Sequence, residues 1–307
     1  MSADLQQTLR EGVLAFPATP FTADLALDVG ALERHVTDLA VAMPVALVPA
    51  GGAGELFSLS VAEHATVVQA TVRNAGSVPV IAGVGYNAAI AIEQARAAEK
   101  AGAAAILLLP PYLITPDQAG LAAYVEAVCN AVGIGVIVYS RDNGIFAVET
   151  VLRLAEKCPK LIGLKDGTGD FEALFALKRD AGERLVLING VPTAEILARQ
   201  CFAIGIRSYS SAVFAFLPEL ALRFFRAVRD GDDAAADDLM NRFYLPLVKL
   251  RGRRRGYAVS IVKAGLRAVG KSAGRVRPPL VDLTAGEEEE LRRLIASVTH
   301  ETMEAQA

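Results

Sequence analysis

Lys165 follows the apolar run Leu161-Ile-Gly-Leu, so its stem lies against apolar surroundings. Desolvation disfavours an ammonium and makes the neutral amine accessible. A neutral amine is what imine formation with a ketone requires. The same residue also reads as a lysine paired with Asp166 or another acid at a rim. Tyr139 closes a second apolar run, Ile134–Tyr139. A phenol there could relay protons to an imine and its carbinolamine precursor, or it is a core tyrosine with a satisfied hydroxyl. A third run, Val45–Ala50, leads into Gly51-Gly-Ala-Gly-Glu55. Successive N–H groups of Gly51, Gly52 and Ala53 could form a nest for a carboxylate; a turn needing positive φ would explain the same glycines. This loop lacks the Gly-Lys-Ser/Thr of a P-loop, and Gly83-Val-Gly85 is too short for a dinucleotide fingerprint.

Composition narrows the classes. Net charge is −3, from 31 basic and 34 acidic residues, which does not favour a polyanion partner such as nucleic acid. Arg251-Gly-Arg-Arg-Arg255 is one short basic cluster without interleaved aromatics, and it reads as a solvated or subunit-facing surface. Cys129, Cys158 and Cys201 are odd in number and scattered, which fits a reducing cytoplasm rather than a disulfide framework. His35, His64 and His300 have no metal-ligand spacing, so no metal is expected. The first residues lack the apolar stretch of a signal peptide. The apolar stretches near 41–54 and 101–114 carry Pro and Gly and are too short to span a bilayer, so no membrane partner is expected.

The elements that must position these groups recur in order. Eight β-like runs are Gly12–Ala18, Val45–Ala50, Val78–Val84, Ala104–Leu109, Ile134–Tyr139, Leu161–Lys165, Arg184–Asn189 and Ile204–Tyr209. Most are continuous and apolar, as strands buried on both faces of a parallel sheet are. Helical segments alternate with them. Ser60-Val-Ala-Glu63 and Thr115-Pro-Asp-Gln118 read as capping boxes, Asn87 and Asp170 as N-caps, and Gly102 as a helix end. The spacing predicts a (β/α)8 TIM barrel over 1–217, with an open doubly wound sheet as the alternative. After Pro218 the strand signal stops. A three-helix extension is expected over 218–307: Glu219–Val228 running on toward Leu250, Tyr257–Val269, and Thr284–Thr302 behind the capping box Thr284-Ala-Gly-Glu287. In such a barrel chemistry belongs at the strand ends that carry Lys165, Tyr139 and Gly51–Glu55.

Gly-Gly-Ala-Gly-Glu, the strand-end Tyr139 and Gly163-Leu-Lys-Asp-Gly-Thr-Gly resemble, in order and spacing, the dihydrodipicolinate synthase and N-acetylneuraminate lyase superfamily, over almost the whole chain. Ala50–Leu59, Tyr139-Ser-Arg-Asp-Asn143, Lys165–Asp170, Val191-Pro-Thr-Ala-Glu195 and Ser208–Phe214 look like its 5-dehydro-4-deoxyglucarate dehydratase family. The resemblance implies Lys165 as a Schiff-base lysine, Tyr139 as acid and base, and the Gly52–Ala53 turn, with Gly51 before it, as the site of the keto acid's carboxylate. It implies a decarboxylating dehydratase acting on a keto sugar diacid, without metal or organic cofactor, in a cytoplasmic homotetramer. Arg141, Asn143, Ser208 and Ser210 are the expected contacts for the distal carboxylate and hydroxyls, with Arg207 as another choice. Ala53 stands where the family usually carries a hydroxyl, and Ser140 where it usually carries Asn. An aldolase or synthase of the same superfamily, or a keto-acid-binding chain without turnover, would use the same pocket.

Overall fold

The computed structural model describes residues 2–304. Its strands are β1 (Glu11–Ala15), β2 (Ala46–Leu47), β3 (Ile81–Tyr86), β4 (Ala105–Pro111), β5 (Gly135–Ser140), β6 (Leu161–Asp166), β7 (Val186–Asn189) and β8 (Arg207–Ser211). They pair in parallel in the order β2-β1-β8-β7-β6-β5-β4-β3, and a parallel bridge from Leu47 to Val80 brings the two ends of the sheet together. This is the expected (β/α)8 barrel. The apolar runs are continuous because both strand faces are buried. Leu14, Phe16, Val48, Leu107, Ile137 and Ile188 fill the interior. Val84, Leu108, Val138 and Leu164 alternate with them and pack outward under the helices.

Strand ends depart from the sequence reading where the backbone leaves the ladder. β2 is only Ala46–Leu47 rather than Val45–Ala50, because Pro49 has no N–H to pair and Ala50 is left-handed at φ 52°. β8 starts at Arg207 rather than Ile204, because Gly205 turns at φ 79°. The Ser60–Glu63 capping box forms, and Asn87 and Asp170 cap as expected. The 115–118 box does not: Asp117 is the N-cap of Gln118–Ala131, so Pro116 stands before the helix rather than inside it. The stretch expected to run from Glu219 toward Leu250 is broken. Pro218–Asp230 ends on the left-handed Gly231, and Asp233–Leu239 then leads through a π turn into Leu245–Arg251. Tyr257–Ala268 and Ala285–Glu304 follow, the latter behind a reciprocal pairing of Thr284 and Glu287.

Candidate active site

β5 and β6 place Tyr139 and Lys165 opposite each other in register. Both side chains are buried at the end of the barrel interior, with the Lys165 ammonium 3.5 Å from the centre of the Tyr139 ring. Their polar atoms converge on one carbonyl. Lys165 Nζ donates to the Gly190 oxygen at 3.0 Å, and the Tyr139 hydroxyl donates to it at 2.7 Å. Gly190 has to be a glycine, since a Cβ there would lie 2.5 Å from Lys165 Cγ. Asp166 is not the lysine's partner. Its oxygens accept from Thr168 N, Thr168 Oγ1 and Gly169 N, which builds the turn after β6. Burial lowers the Lys165 pKa, while the charge and hydrogen bond of Tyr139 and, less, the Asp166 charge pull the other way. Burial raises the Tyr139 pKa, but the positive charges of Lys165 and Arg141 outweigh it, and the net direction is down. Arg141 Nη1 donates to the Tyr139 hydroxyl at 3.1 Å, so it stands at the reacting end.

The Gly51–Glu55 loop frames the other side. Its left-handed residues are Ala50 and Glu55, not the glycines, so the positive-φ reading of those glycines is corrected. Close approach requires Gly51 and Gly54 instead. A Cβ on Gly51 would lie 2.8 Å from the Phe16 ring, and one on Gly54 would lie 2.8 Å from Ala50 N; Gly52 has open space. The carbonyls of Gly51 and Gly52 accept from Leu56 and Glu55. Among the described residues, the amides of Gly52 and Ala53 donate to no protein acceptor, which is the arrangement an anion needs. The loop is anchored by a buried ion pair of Glu55 with Lys263 at 2.6 Å, and Arg277 N donates to the other Glu55 oxygen at 3.2 Å.

Lys165, Tyr139, Gly52, Ala53, Arg141, Asn143 and Ser210 all line one cavity of ≈ 660 Å³ at the C-terminal ends of the strands. That volume suits a small organic ligand, and the position is where barrels carry their chemistry. The chain matches the dihydrodipicolinate synthetase family over residues 9–298. It belongs to that family. A Rhizobium rhizogenes protein called a probable 5-dehydro-4-deoxyglucarate dehydratase is 50% identical over 95% of this chain and 97% of its own length. One of the same description from Saccharopolyspora erythraea is 50% identical over 96% of each chain. Among solved structures, dihydrodipicolinate synthase from Bacillus clausii superposes with a TM-score of 0.87 at 26% identity, covering 95% of this chain and 99% of that one. A putative dihydrodipicolinate synthetase from Pseudomonas aeruginosa gives 0.85 at 30% identity, covering 93% and 98%.

Within this family barrel the remaining expectations fall differently. Ser208 is corrected: it lies on the same face of β8 as Ser210 but two residues earlier, fully buried and outside the cavity lining. Gly51 also stays behind the lining, under Phe16. Arg207 points out of the site and pairs with Glu11 at 2.9 Å. The Asn143 amide braces the Pro111 carbonyl at 2.9 Å. Arg251 is not part of a solvated basic surface. It reaches inward and donates to Thr193 Oγ1, while Arg253 pairs with Glu290. Sequence reasoning missed Gly190 and Thr193 as cavity residues. Their signal was available, since Asn189-Gly-Val-Pro-Thr193 is also a strand-end loop.

Proposed function

We propose that this chain converts 5-dehydro-4-deoxy-D-glucarate into 2,5-dioxopentanoate, water and carbon dioxide through an imine on Lys165. The observation that carries this is a buried lysine without a carboxylate partner, lying over Tyr139 on the floor of a cavity whose rim offers two free amides. Relatives at 50% identity are described as probable 5-dehydro-4-deoxyglucarate dehydratases, which favours the dehydratase over other reactions of the family.

The chemistry runs on these groups. The neutral Lys165 amine attacks the C5 ketone, and Tyr139 moves the proton that lets water leave, giving an iminium. Arg141 favours the phenolate, so Tyr139, or a water it orients, takes the C4 proton and forms the enamine. The enamine electrons expel the C3 hydroxyl, which departs protonated as water. The C1–C2 electron pair then enters the conjugated iminium as carbon dioxide leaves. Tautomerisation gives the aldehyde at C2, and hydrolysis frees Lys165. The Gly52–Ala53 amides suit the carboxylate beside the ketone. One covalent electron sink serves both eliminations, so the proposal calls for no metal or organic cofactor.

Incubation with the diacid should release carbon dioxide. Pyruvate instead would identify an aldolase, and an imine without product would identify a binding protein, the reading that Ala53 favours. A cytoplasmic homotetramer belongs to the same proposal. Among the described residues no helix is long and apolar enough to cross a membrane. Leu113 and Ile114, 80% and 67% exposed, offer apolar surface for a subunit contact. A monomer by light scattering at micromolar concentration contradicts the tetramer.

A further inference from the structure

A diacid needs a second anchor, and the cavity's arginine is already engaged. Arg141 donates to Tyr139 and to Asp142, at the end where the imine would form. The loop after β7 presents another group. Thr193 lines the cavity in left-handed backbone at φ 56° and ψ 67°, a conformation disfavoured for a β-branched residue and characteristic of functional sites. Its Oγ1 accepts from the Arg251 guanidinium, which stands behind it and outside the cavity lining. Among the described residues the Thr193 hydroxyl donates to no protein acceptor, so its proton is free to meet a ligand.

A buried carboxyl holds this wall in place. Glu195, two residues on, accepts from Ser211 Oγ at 2.5 Å, and Phe214 N donates to the same Oγ at 3.1 Å. That bond ties the β7 loop to the end of β8, beside the cavity residue Ser210. Glu195 also supports the positive charge of Arg251 against its burial.

We propose that Thr193, with Ser210 beside it, receives the far carboxylate of the diacid, and that Arg251 positions and polarises Thr193 from behind. The inference rests on the dehydratase reading, because that reading supplies the second carboxylate. The same chemistry explains why the cation stands back. The far carboxylate must surrender its electron pair and leave uncharged. A guanidinium in bidentate contact would stabilise it most before the reaction and oppose its departure. A hydroxyl fixes the direction of the breaking bond, while a cation one residue behind still draws the anion in. Val191, Pro192 and Val259 leave the surrounding wall apolar, which favours losing charge.

Borohydride trapping on Lys165 tests this without requiring turnover. Half-maximal trapping is compared for the diacid, for its analogue with a hydroxymethyl group in place of the far carboxylate, and for pyruvate. Thr193→Val keeps the β-branched shape and should raise the diacid value about ten- to a hundredfold, leave pyruvate unchanged and narrow the gap between the two longer ligands. Thr193→Ser should restore discrimination, and Arg251→Met should reproduce part of the loss. An unchanged diacid value in Thr193→Val, an equal loss for all three ligands, or no rescue by serine overturns the subsite. If the wild type traps none of them on Lys165, the dehydratase reading itself falls.

Discussion

Among the described residues two lysines are buried, and they are opposites. Lys263 is fully buried and sits 2.6 Å from the Glu55 carboxylate, donates to the Arg275 carbonyl at 2.8 Å and lies over the Phe21 ring. Lys165 is 3% exposed, has a carbonyl and a phenol for neighbours, and faces a cavity. Burial lowers the pKa of both. The difference is the counter-charge. A buried amine in contact with a carboxylate keeps its proton in use as a tether, whereas one in contact with a carbonyl and a phenol can give it up. The tether also has a place in the site, since Glu55 ends the loop whose Gly52 and Ala53 line the cavity.

The largest effect should come from exchanging each lysine for methionine. Lys165→Met should abolish turnover while the protein stays folded. Lys263→Met should leave Glu55 buried without its partner and cost about 3–5 kcal/mol, read as a lower denaturant midpoint, while Lys165 still forms imine. A folded Lys263→Met protein that cannot form imine would break the contrast. Next, Tyr139→Phe should lower turnover by about 10²–10⁴ with little change in ligand binding; near-normal turnover would make Tyr139 a packing residue. A third test sharpens the tether. Replacing Glu55 and Lys263 together with apolar residues of similar volume should recover most of the stability lost in Lys263→Met. A double variant no more stable than the single one would argue against a paired charge.

The smallest expected effect concerns a buried carboxyl that has no lysine. Burial pushes Glu195 up to about 7 from an ordinary 4.5, with the Ser211 hydrogen bond opposing. The folded state therefore holds a proton that the unfolded chain releases. Stability from this group is fully present below pH 4.5 and is lost as pH rises through about 7, roughly 3 kcal/mol in all. Glu195→Gln should flatten that slope in denaturant titrations between those pH values. An unchanged slope would mean that Glu195 ionises as freely in the fold as out of it.

The barrel was legible because eight apolar runs announce strands buried on both faces, whatever the loops do. Strand ends were less so. Ala50 leaves the ladder in a left-handed conformation that no residue type advertises, and Glu55 in the loop beyond is left-handed too. Lys165 and Tyr139 could be found because a polar group closing an apolar run is visible locally. Lys263 could not: its partner is remote in sequence, and a lysine within Tyr257–Ala268 looks like any helical surface lysine. Arg251 failed for a related reason. It sits at the head of a basic run, and the sequence does not give the direction of a helix-terminal side chain. Ser208 and Ser210 share a face by the strand period, but only the assembled barrel tells which of them reaches the cavity.

The most direct test is to reduce the protein with borohydride in the presence of the diacid and map the modified peptide by mass spectrometry. A single adduct on Lys165, absent from Lys165→Met and retained in Lys263→Met, is the expected result. An adduct on any other lysine, or turnover surviving in Lys165→Met, would contradict the assignment of Lys165 as the nucleophile.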